Sequence, residues 1–380
     1  MLLRLLALLA GLALVPLAVV ALLLALLQSE SARLWAEAAV DRWVPGVRID
    51  GLGPGLPSRL DLARVALADD AGTWLTVEDI ELRWRPAALL RGAVEVDRVA
   101  ARRIVLARTP AAAPEAAEPL PEPAPSAPFR LPERLLPVQV ETVAVERIEL
   151  GAPVLGQAAA FSLDGRLDAA SGTDAALELA LARLDRERLE ATLDARLELA
   201  ARRLELRLAL EERSGLVAAL AGQPALAPVT VELAGTGPLA DWPGLLEIEA
   251  GGLATLSSEL RLALEAVPRL ALDGRVTPGP ALGSTAYAPL LGDGAELAAT
   301  VERPGTDLVL ERLRIATNAL TLEGAGALRG ETARVDLDLA APDLAALAAL
   351  TGTPLAGSAR ATVALAGALP LPPGSLRLEA

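Results

Sequence analysis

The side chains that most often carry out chemistry in proteins are missing from this chain. Its 380 residues include no His and no Cys, which excludes a Ser-His-Asp triad, a Cys nucleophile, a disulfide and an ordinary zinc site. Its 49 acidic residues could still build a calcium loop or the carboxylate pair of a glycosidase. We find no such grouping. We therefore predict that the protein is not an enzyme and has no catalytic, cofactor-binding or metal site.

The acidic pairs and the glycine-rich segment are better explained by turns. Asp69-Asp70 follows an apolar run, and the Asp-Gly pairs at Asp164-Gly165 and Asp273-Gly274 are favoured in tight turns for backbone reasons. The segment Gly51–Gly55 has the glycines of a phosphate loop but lacks the Lys-Ser/Thr that a P-loop requires. The sequence predicts a turn at each of these positions.

Apolar residues recur at every second position along much of the chain. Between residues 177 and 210 the intervening positions carry charged side chains such as Glu178, Glu205 and Arg207. A period of two is typical of a β-strand with one apolar and one polar face. The same pattern covers residues 75–84, 140–150, 231–233, 245–249, 260–264, 308–315 and 335–339. We predict a mainly β fold with a long, twisted, curled sheet.

The predicted sheet has a smooth aliphatic face and a charged face. Aromatic residues make up 2% of the chain, and all 35 basic residues are Arg, which alternate with Glu and Asp. The net charge of −14 and the lack of a basic stripe argue against nucleic-acid binding. About 20 strands at roughly 4.8 Å would extend on the order of 100 Å, too far to bury one face in a compact core. The aliphatic face is therefore the candidate working surface, and acyl chains are the ligand that it suits. We predict that this face is lined by Leu177, Leu179, Leu181, Leu197, Leu199, Leu204, Leu206, Leu208, Leu210, Leu262 and Leu264.

The amino terminus has the composition of a membrane anchor. The run from Leu5 to Leu27 carries no charge and is long enough as a helix to cross a bilayer core of about 30 Å. Arg4 on one side and Glu30 on the other predict a cytoplasmic start and an exported remainder. A cleaved signal peptide is the alternative, but its apolar region would span only about 7 to 15 residues.

Residues 30–45 are predicted to form a juxtamembrane helix that ends before Gly46. Trp35 and Trp43 would then lie at the membrane interface, where tryptophan is enriched, or would pack on the first strands. Both interpretations stay open.

A Pro-, Ala- and Glu-rich segment interrupts the strands at residues 109–132. This composition favours extended polyproline-like structure and does not form a packed core, so we predict a linker or long loop. The predicted organisation is a transmembrane anchor at 1–29, the juxtamembrane helix at 30–45, a β module at 46–108, the linker at 109–132 and a continuing β groove at 133–380.

Four short segments have apolar residues at intervals of three or four instead of two. This spacing favours short helices inserted between the strands. The segments are Pro86–Arg91, Ser214–Leu220, Ala286–Leu291 and Pro342–Leu350.

Several motifs resemble the amino-terminal part of the TamB family, the translocation and assembly module subunits of the AsmA-like superfamily. They are G-x-W-L-x-V-x-D at Gly72–Asp79, W-x-P-x-x-L-L-x-G at Trp84–Gly92 and R-I-x-L-x-R at Arg103–Arg108, followed by the Pro-rich segment. The stretches PVQVETVAVERIELGAPVLGQAA and GTGPLADWPGLLEIEA are also similar to that family. The motifs are low-complexity strands and include no catalytic signature.

The resemblance implies a bridge-like protein of outer-membrane biogenesis and protein secretion. Such a protein has a single-pass inner-membrane anchor, a periplasmic body and an aliphatic groove for phospholipid acyl chains. It also implies an outer-membrane barrel partner of the TamA type, which binds a carboxy-terminal domain. Family members are longer than this chain, which stops at Ala380 within an alternating pattern, so we expect a truncated carboxy terminus.

Three functions fit the sequence. The first is phospholipid transport along the groove. The second is an assembly factor that templates outer-membrane strands by β-augmentation at exposed strand edges. The third is a closed β-sandwich tethered to a membrane. A continuous open apolar face would favour the first two over the third.

Overall fold

A computed structural model of the chain describes residues 44–379 with interruptions. The interruptions are residues 45, 111–131, 133, 186–187, 214, 217–225, 265–266, 286–287, 331, 349–352 and 369–374. The predicted anchor, all of the predicted juxtamembrane helix except Val44 and most of the Pro-rich segment lie outside the described residues. Within the described part, no helix has the length and apolar character needed to cross a membrane.

The described chain is mainly β and falls into two compact units that divide within one strand. The first unit holds six strands, and β7 (Asp174–Arg183) contributes residues to both units. The strands of the first unit are β1 (Val47–Leu52), β2 (Arg59–Asp69), β3 (Gly72–Trp84), β4 (Val94–Leu106), β5 (Val138–Leu150) and β6 (Ala159–Asp168).

The second unit holds the strands from β8 onward. These are β8 (Leu189–Glu198), β9 (Arg203–Glu212), β10 (Val229–Pro238), β11 (Trp242–Ala250), β12 (Ala254–Ala263), β13 (Arg269–Pro278), β14 (Ala295–Glu302), β15 (Leu308–Thr317), β16 (Thr321–Arg329), β17 (Thr332–Ala341), β18 (Ala359–Ala368) and β19 (Ser375–Glu379). Each of the strands from β8 to β18 pairs antiparallel with the next strand along the chain. The mainly β prediction is confirmed.

Among the strand pairs of the first unit whose register is described, one is parallel and the others are antiparallel. β4 and β5 lie side by side in parallel, with Val94 opposite Val138 and Leu106 opposite Leu150. Two strands that run the same way start at the same end of a sheet, so a hairpin cannot join them and a long connection is required. The Pro-rich segment 109–132 is the part of the sequence that makes this connection.

Strict alternation is broken in a coordinated way in this pair. In both strands, two apolar residues that are two positions apart are followed by a third that is three positions further on. Val96 lies opposite Val140, and Val99 lies opposite Val143. The register of β5 with β6 shifts after Val140 and again after Val145. Bulges of this kind put two successive residues on one face and increase the local bend and twist of a strand.

Short helices occur at three of the predicted places. The structure has 3-10 helices at Pro86–Arg91, Leu282–Ser284 and Leu344–Leu347 and α-helices α1 (Ala152–Leu155) and α2 (Ala288–Leu291). The prediction at 86–91 is confirmed, those at 286–291 and 342–350 are confirmed for their described residues, and most of 214–220 lies outside the described chain. The helix α1 was not predicted. Gly156, in the left-handed conformation with φ of 76°, ends α1 after a single turn.

Two turn predictions were wrong. Asp164-Gly165 lies within β6 and Asp273-Gly274 lies within β13. At Gly274 a Cβ atom would lie 2.5 Å from the Cβ of Ser258 on the neighbouring strand, so glycine serves close strand packing there and not a turn. The turns at Asp70 and at residues 53–58 are observed, since β2 ends at Asp69 and β1 at Leu52.

Neither unit has a thick hydrophobic core. Many of the buried apolar residues of the described chain are Ala, and others sit at strand ends. The largest fully buried side chains among the described residues are Leu239 and Glu212. The extensive contacts between strands all join neighbours in the sheet. The sheets are thus open and curled single layers with one face left partly exposed.

Ion pairs cover the polar face of the first unit. Arg103 donates to Glu149 from Nε to Oε1 at 3.0 Å and from Nη2 to Oε2 at 2.6 Å, and Arg147 Nε donates to the same Oε1 at 2.7 Å. The hydrogen bonds from Arg103, and then the one from Arg147, hold the pKa of the Glu149 carboxyl below its ordinary value. These contacts tie β4 to β5.

We expect this carboxylate to make the first unit sensitive to acid. Because its pKa is lower in the folded state, its stabilisation is fully present above the unfolded value of about 4.3 and is lost as the pH falls through the folded pKa. Glu149→Gln should therefore be less stable than the wild type at neutral pH, with the difference disappearing in acid. Urea unfolding between pH 7 and 3 measures this. An equal pH dependence for Glu149→Gln and for the exposed control Glu146→Gln would contradict the assignment.

Candidate functional site

The strands of the second unit align their apolar residues in rows that run across the sheet. In one row Leu193, Leu208, Leu233 and Leu246 are successive cross-strand partners in β8 to β11. The adjacent row contains Ala191, Leu210, Val231 and Ile248 in the same strands. The rows continue into β12 and β13 with Ser258 and Gly274, and with Leu256 and Val276. We call this surface the apolar face, and the two rows together the lane.

The opposite side of the same strands is charged. Arg207 lies opposite Asp194 in β8 and forms an ion pair with Glu205 at 3.0 Å. Glu247 and Glu259 are exposed on the same side in β11 and β12. This strict separation follows from the period of two in the sequence, because successive side chains of a strand point to opposite faces. The second unit is therefore a sheet with one apolar and one solvated face.

The apolar face is not covered by a second layer in the described part of the chain. Leu208, Leu233 and Leu246 are all partly exposed, although they occupy the face that a globular protein would bury. Further along the face, Leu270 is 43% exposed and Leu308 is 44% exposed. Contiguous exposed apolar surface of this kind marks a site for a protein, a membrane or another apolar ligand.

One margin of the apolar face is closed by Trp242, at the start of β11. Its indole reaches across β10 and donates from Nε1 to the main-chain oxygen of Leu204 in β9, at 3.0 Å. The ring lies over Gly235 and Gly244, where a side chain would collide with it. Trp242 is 2% exposed, and the nearby turn residues Leu239 and Leu199 are also buried. This margin is a small core at the strand ends.

The other margin is closed by Glu212 and its neighbours. Leu189, Glu212 and Val229 are cross-strand partners in β8, β9 and β10, and all three are buried. Oε1 of Glu212 accepts a hydrogen bond from the main-chain N–H of Leu216 at 3.0 Å, and Leu216 is itself buried. The lane therefore lies between two packed margins and is the open part of the face.

The predicted lining residues are spread over several rows of the apolar face, its Trp242 margin and β7. Leu208 and Leu210 lie in the lane, Leu206 lies in the next row beside Gly235, and Leu204 and Leu197 form the row beyond it. The others lie at the margin or in β7. At the margin, Leu199 is buried just after β8 and Leu262 lies opposite Trp242. The main-chain N–H of Leu264 donates to the main-chain oxygen of Leu239 at 2.8 Å. In β7, the partly exposed residues are Leu177, Leu179 and Leu181. Leu5 and Leu27 lie outside the described residues.

Sequence reasoning did not single out Leu233, Leu246 and Ile248 as lining residues, nor Trp242 as a margin. Part of the signal was present in the stretch GTGPLADWPGLLEIEA, which contains the glycines of β10 and β11, the tryptophan and the apolar residues of β11. The register of the strands is needed to recognise this margin, because the indole of Trp242 donates a hydrogen bond to Leu204, which is 38 positions away in the sequence.

The first unit has a similar apolar face. Ile49, Val65, Val77, Ile104 and Ile148 are cross-strand partners from β1 to β5. All of them are partly exposed, and their row ends at the buried Phe161 in β6. Both units therefore present aliphatic surface built in the same way.

The polar face of the second unit also has a depression, of about 730 Å³. Its walls include Glu232, Glu247, Glu259 and Asp273, together with Arg275 and the exposed Leu245. Its acidic residues do not converge, and the described residues contain no group of His, Cys, Asp or Glu placed to hold a metal ion. The depression is a solvated dip in the outer surface.

Comparison with known families identifies the first part of the chain. Residues 18–154 match the family model described as TamB, N-terminal domain. This part of the chain is similar to the TamB N-terminal domain. The resemblance inferred from the sequence motifs is confirmed over that range, which includes β1 to β5. No curated protein and no solved structure matches the chain.

The TamB motifs have clear roles in the fold of the first unit. Trp84 donates from Nε1 to the main-chain oxygen of Pro57 at 2.6 Å, Pro86 opens the 3-10 helix, and Gly92 ends it with φ of 70°. Asp79 has a positive φ of 49°. It lies between Glu78 and Ile80, which both have register partners in β2, and its carboxylate forms an ion pair with Arg102. The motif therefore sets the turn and the bulge that shape this part of the sheet.

Proposed function

We propose that this chain is a bridge-like protein of the TamB and AsmA-like kind that binds phospholipid acyl chains on its apolar face and lets them move along it. The observation that carries the proposal is the open lane of partly exposed aliphatic residues in the second unit. The TamB N-terminal domain and the long sheet support the same conclusion. In this proposal the protein is not an enzyme.

The chemistry of the lane suits hydrocarbon. Its residues in β8 to β11 are aliphatic, so acyl chains gain the burial of apolar surface, about 25 cal/mol per Å², without a specific polar contact that would fix them in place. The charged opposite face keeps the protein soluble and leaves lipid head groups in water. An aliphatic surface of this kind favours movement of the acyl chains along the lane over tight binding at one position.

The proposed location follows from the uncharged run Leu5–Leu27. Such a run would anchor the chain in the inner membrane with its amino terminus in the cytoplasm and both units in the periplasm. The proposed partners are phospholipids of that membrane and an outer-membrane barrel of the TamA type. The resulting roles are phospholipid transport, outer-membrane biogenesis and support of protein secretion.

A second candidate function is strand templating without lipid transport. The observation that favours it is β1, which pairs only with β2 among the described strands and so leaves one edge open. An extended segment of another protein could add to this edge by β-augmentation. This function requires the edge and not the lane, so changes in the lane separate the two candidates.

We expect lipid to contact Leu246 and not Leu245. These adjacent leucines of β11 point to opposite faces, and Leu245, on the polar face, is the more exposed of the two at 66%. A photo-crosslinking amino acid placed at each position in turn, in cells, followed by mass spectrometry of the adducts, measures the contact. Glycerophospholipid adducts should form at position 246 and be at background level at position 245. Equal labelling would indicate contact by exposure alone and would contradict the proposal.

A further inference from the structure

The width of the lane is set by one side chain. On the same face of a strand, side chains two residues apart are separated by about 7 Å. The two rows of the lane are therefore two parallel strips of apolar surface, each wide enough for one acyl chain. The next row toward the Trp242 margin contains Gly235 and Gly244, which have no side chain of their own. The indole of Trp242 fills the space above them.

The position of the indole is fixed at both ends. Its Cβ is held by β11, and its Nε1 by the main-chain oxygen of Leu204 in β9, at 3.0 Å. The ring must cross β10 between these points, and it can do so only because Gly235 and Gly244 lie beneath it. A Cβ atom at Gly244 would lie 2.6 Å from Cζ3 and 2.7 Å from Cη2 of the ring, closer than side-chain atoms pack.

We propose that Trp242 is a specificity-determining residue that limits the lane to two acyl chains side by side. Neighbouring hydrocarbon chains in van der Waals contact need roughly 4 to 5 Å of width each, so two rows accommodate the two chains of a diacyl lipid. A lipid with four chains on one head group needs more width than two rows provide, and the indole occupies the next row. The inference rests on the proposed function and adds the class of lipid that the lane selects.

Two substitutions change the width in opposite directions. Trp242→Leu keeps an aliphatic side chain at the margin, but this shorter side chain cannot reach across β10. The row of Gly235 and Gly244 is then uncovered, and the lane gains a third row. Gly244→Ala adds a methyl group that collides with the ring of Trp242, while its distance of 3.5 Å from the Leu233 side chain is an ordinary contact. The ring must then move away from Gly244, and the methyl group itself adds bulk beside the lane, which narrows it.

The test is competition between two lipids for the detergent-extracted full chain. A fluorescent diacyl phosphatidylglycerol is bound first and then displaced with unlabelled phosphatidylglycerol or with cardiolipin, which has four acyl chains. The wild type should prefer the diacyl lipid. Trp242→Leu should raise the relative affinity for cardiolipin by about fourfold or more, because each additional buried methylene contributes about 0.8 kcal/mol, or about fourfold. Gly244→Ala should lower the affinity for both lipids.

Trp84→Leu is the matched control. Trp84 also donates from Nε1 to a main-chain oxygen, but it lies in the first unit, so this change should leave the lipid preference unchanged. An unchanged preference in Trp242→Leu, with lipid still bound, would overturn the inference and leave the proposed function in place. If the wild type binds neither lipid, both are overturned. If Trp242→Leu does not fold, the test rests on Gly244→Ala. A lower affinity for both lipids then supports the inference, and an unchanged or higher affinity overturns it.

Discussion

Replacing Leu208 with Asp will remove most of the bound lipid. Leu208 lies at the centre of the lane, between Leu193 and Leu233 on the neighbouring strands. A carboxylate there would have to be desolvated by each passing acyl chain, which costs several kcal/mol, so we expect at least about a tenfold loss of co-purified phospholipid. Mass spectrometry of lipid extracted from equal amounts of purified protein measures it.

The neighbouring residue provides the control for this experiment. Ala209 lies on the opposite, solvated face of the same strand, between Thr192 and Glu232, so Ala209→Asp introduces the same charge one position away. Its bound lipid should match that of the wild type. Equal loss in both variants would show that the effect arises from charge or from strand stability and not from the lane. If strand templating at β1 is the only function, both variants should keep it and neither should change lipid content.

Trp242→Ala will loosen the strand ends of β9 to β11. Truncation of a large buried aromatic residue typically costs about 3 to 5 kcal/mol, and here it also removes the hydrogen bond to Leu204. In an open sheet with few large buried side chains, that loss has little to compensate it. Amide hydrogen exchange should therefore show a loss of protection of this size in β9, β10 and β11, with β17 unaffected.

A partly exposed tryptophan gives the comparison. Trp84→Ala removes a similar hydrogen bond to a main-chain oxygen, in the first unit, but Trp84 is only half-buried. Its loss of protection should be smaller and confined to β2 to β4. An effect of Trp242→Ala no larger than that of Trp84→Ala would indicate that the margin is not a structural core.

The alternating leucines made the strands predictable, because a period of two has a direct geometric meaning. It placed Leu208 and Leu210 on an apolar face without any knowledge of pairing. The paired bulges of β4 and β5 were harder to see. Their apolar positions, such as Val96 and Val99, break the alternation, and only the parallel pairing shows that the breaks in the two strands coincide.

Local turn chemistry failed where cross-strand packing decided the outcome. Asp273-Gly274 has the composition of a hairpin turn, but it lies in the middle of β13, because Gly274 leaves room for Ser258. In the same way, Trp242 was not recognised as a margin, because its partner Leu204 is distant in sequence. Register between strands, which composition does not encode, separates the lane from its margins.

The nearest-neighbour pairing of the second unit has a consequence for how it unfolds. Since each strand from β8 to β19 contacts chiefly the strands before and after it, its stability is close to a sum of hairpin and interface contributions, as in linear repeat proteins. Such a chain frays from a free edge instead of melting at once, so a single transition temperature would not describe it. Mechanical extension of one molecule should then give a series of small steps, each the length of one or two strands.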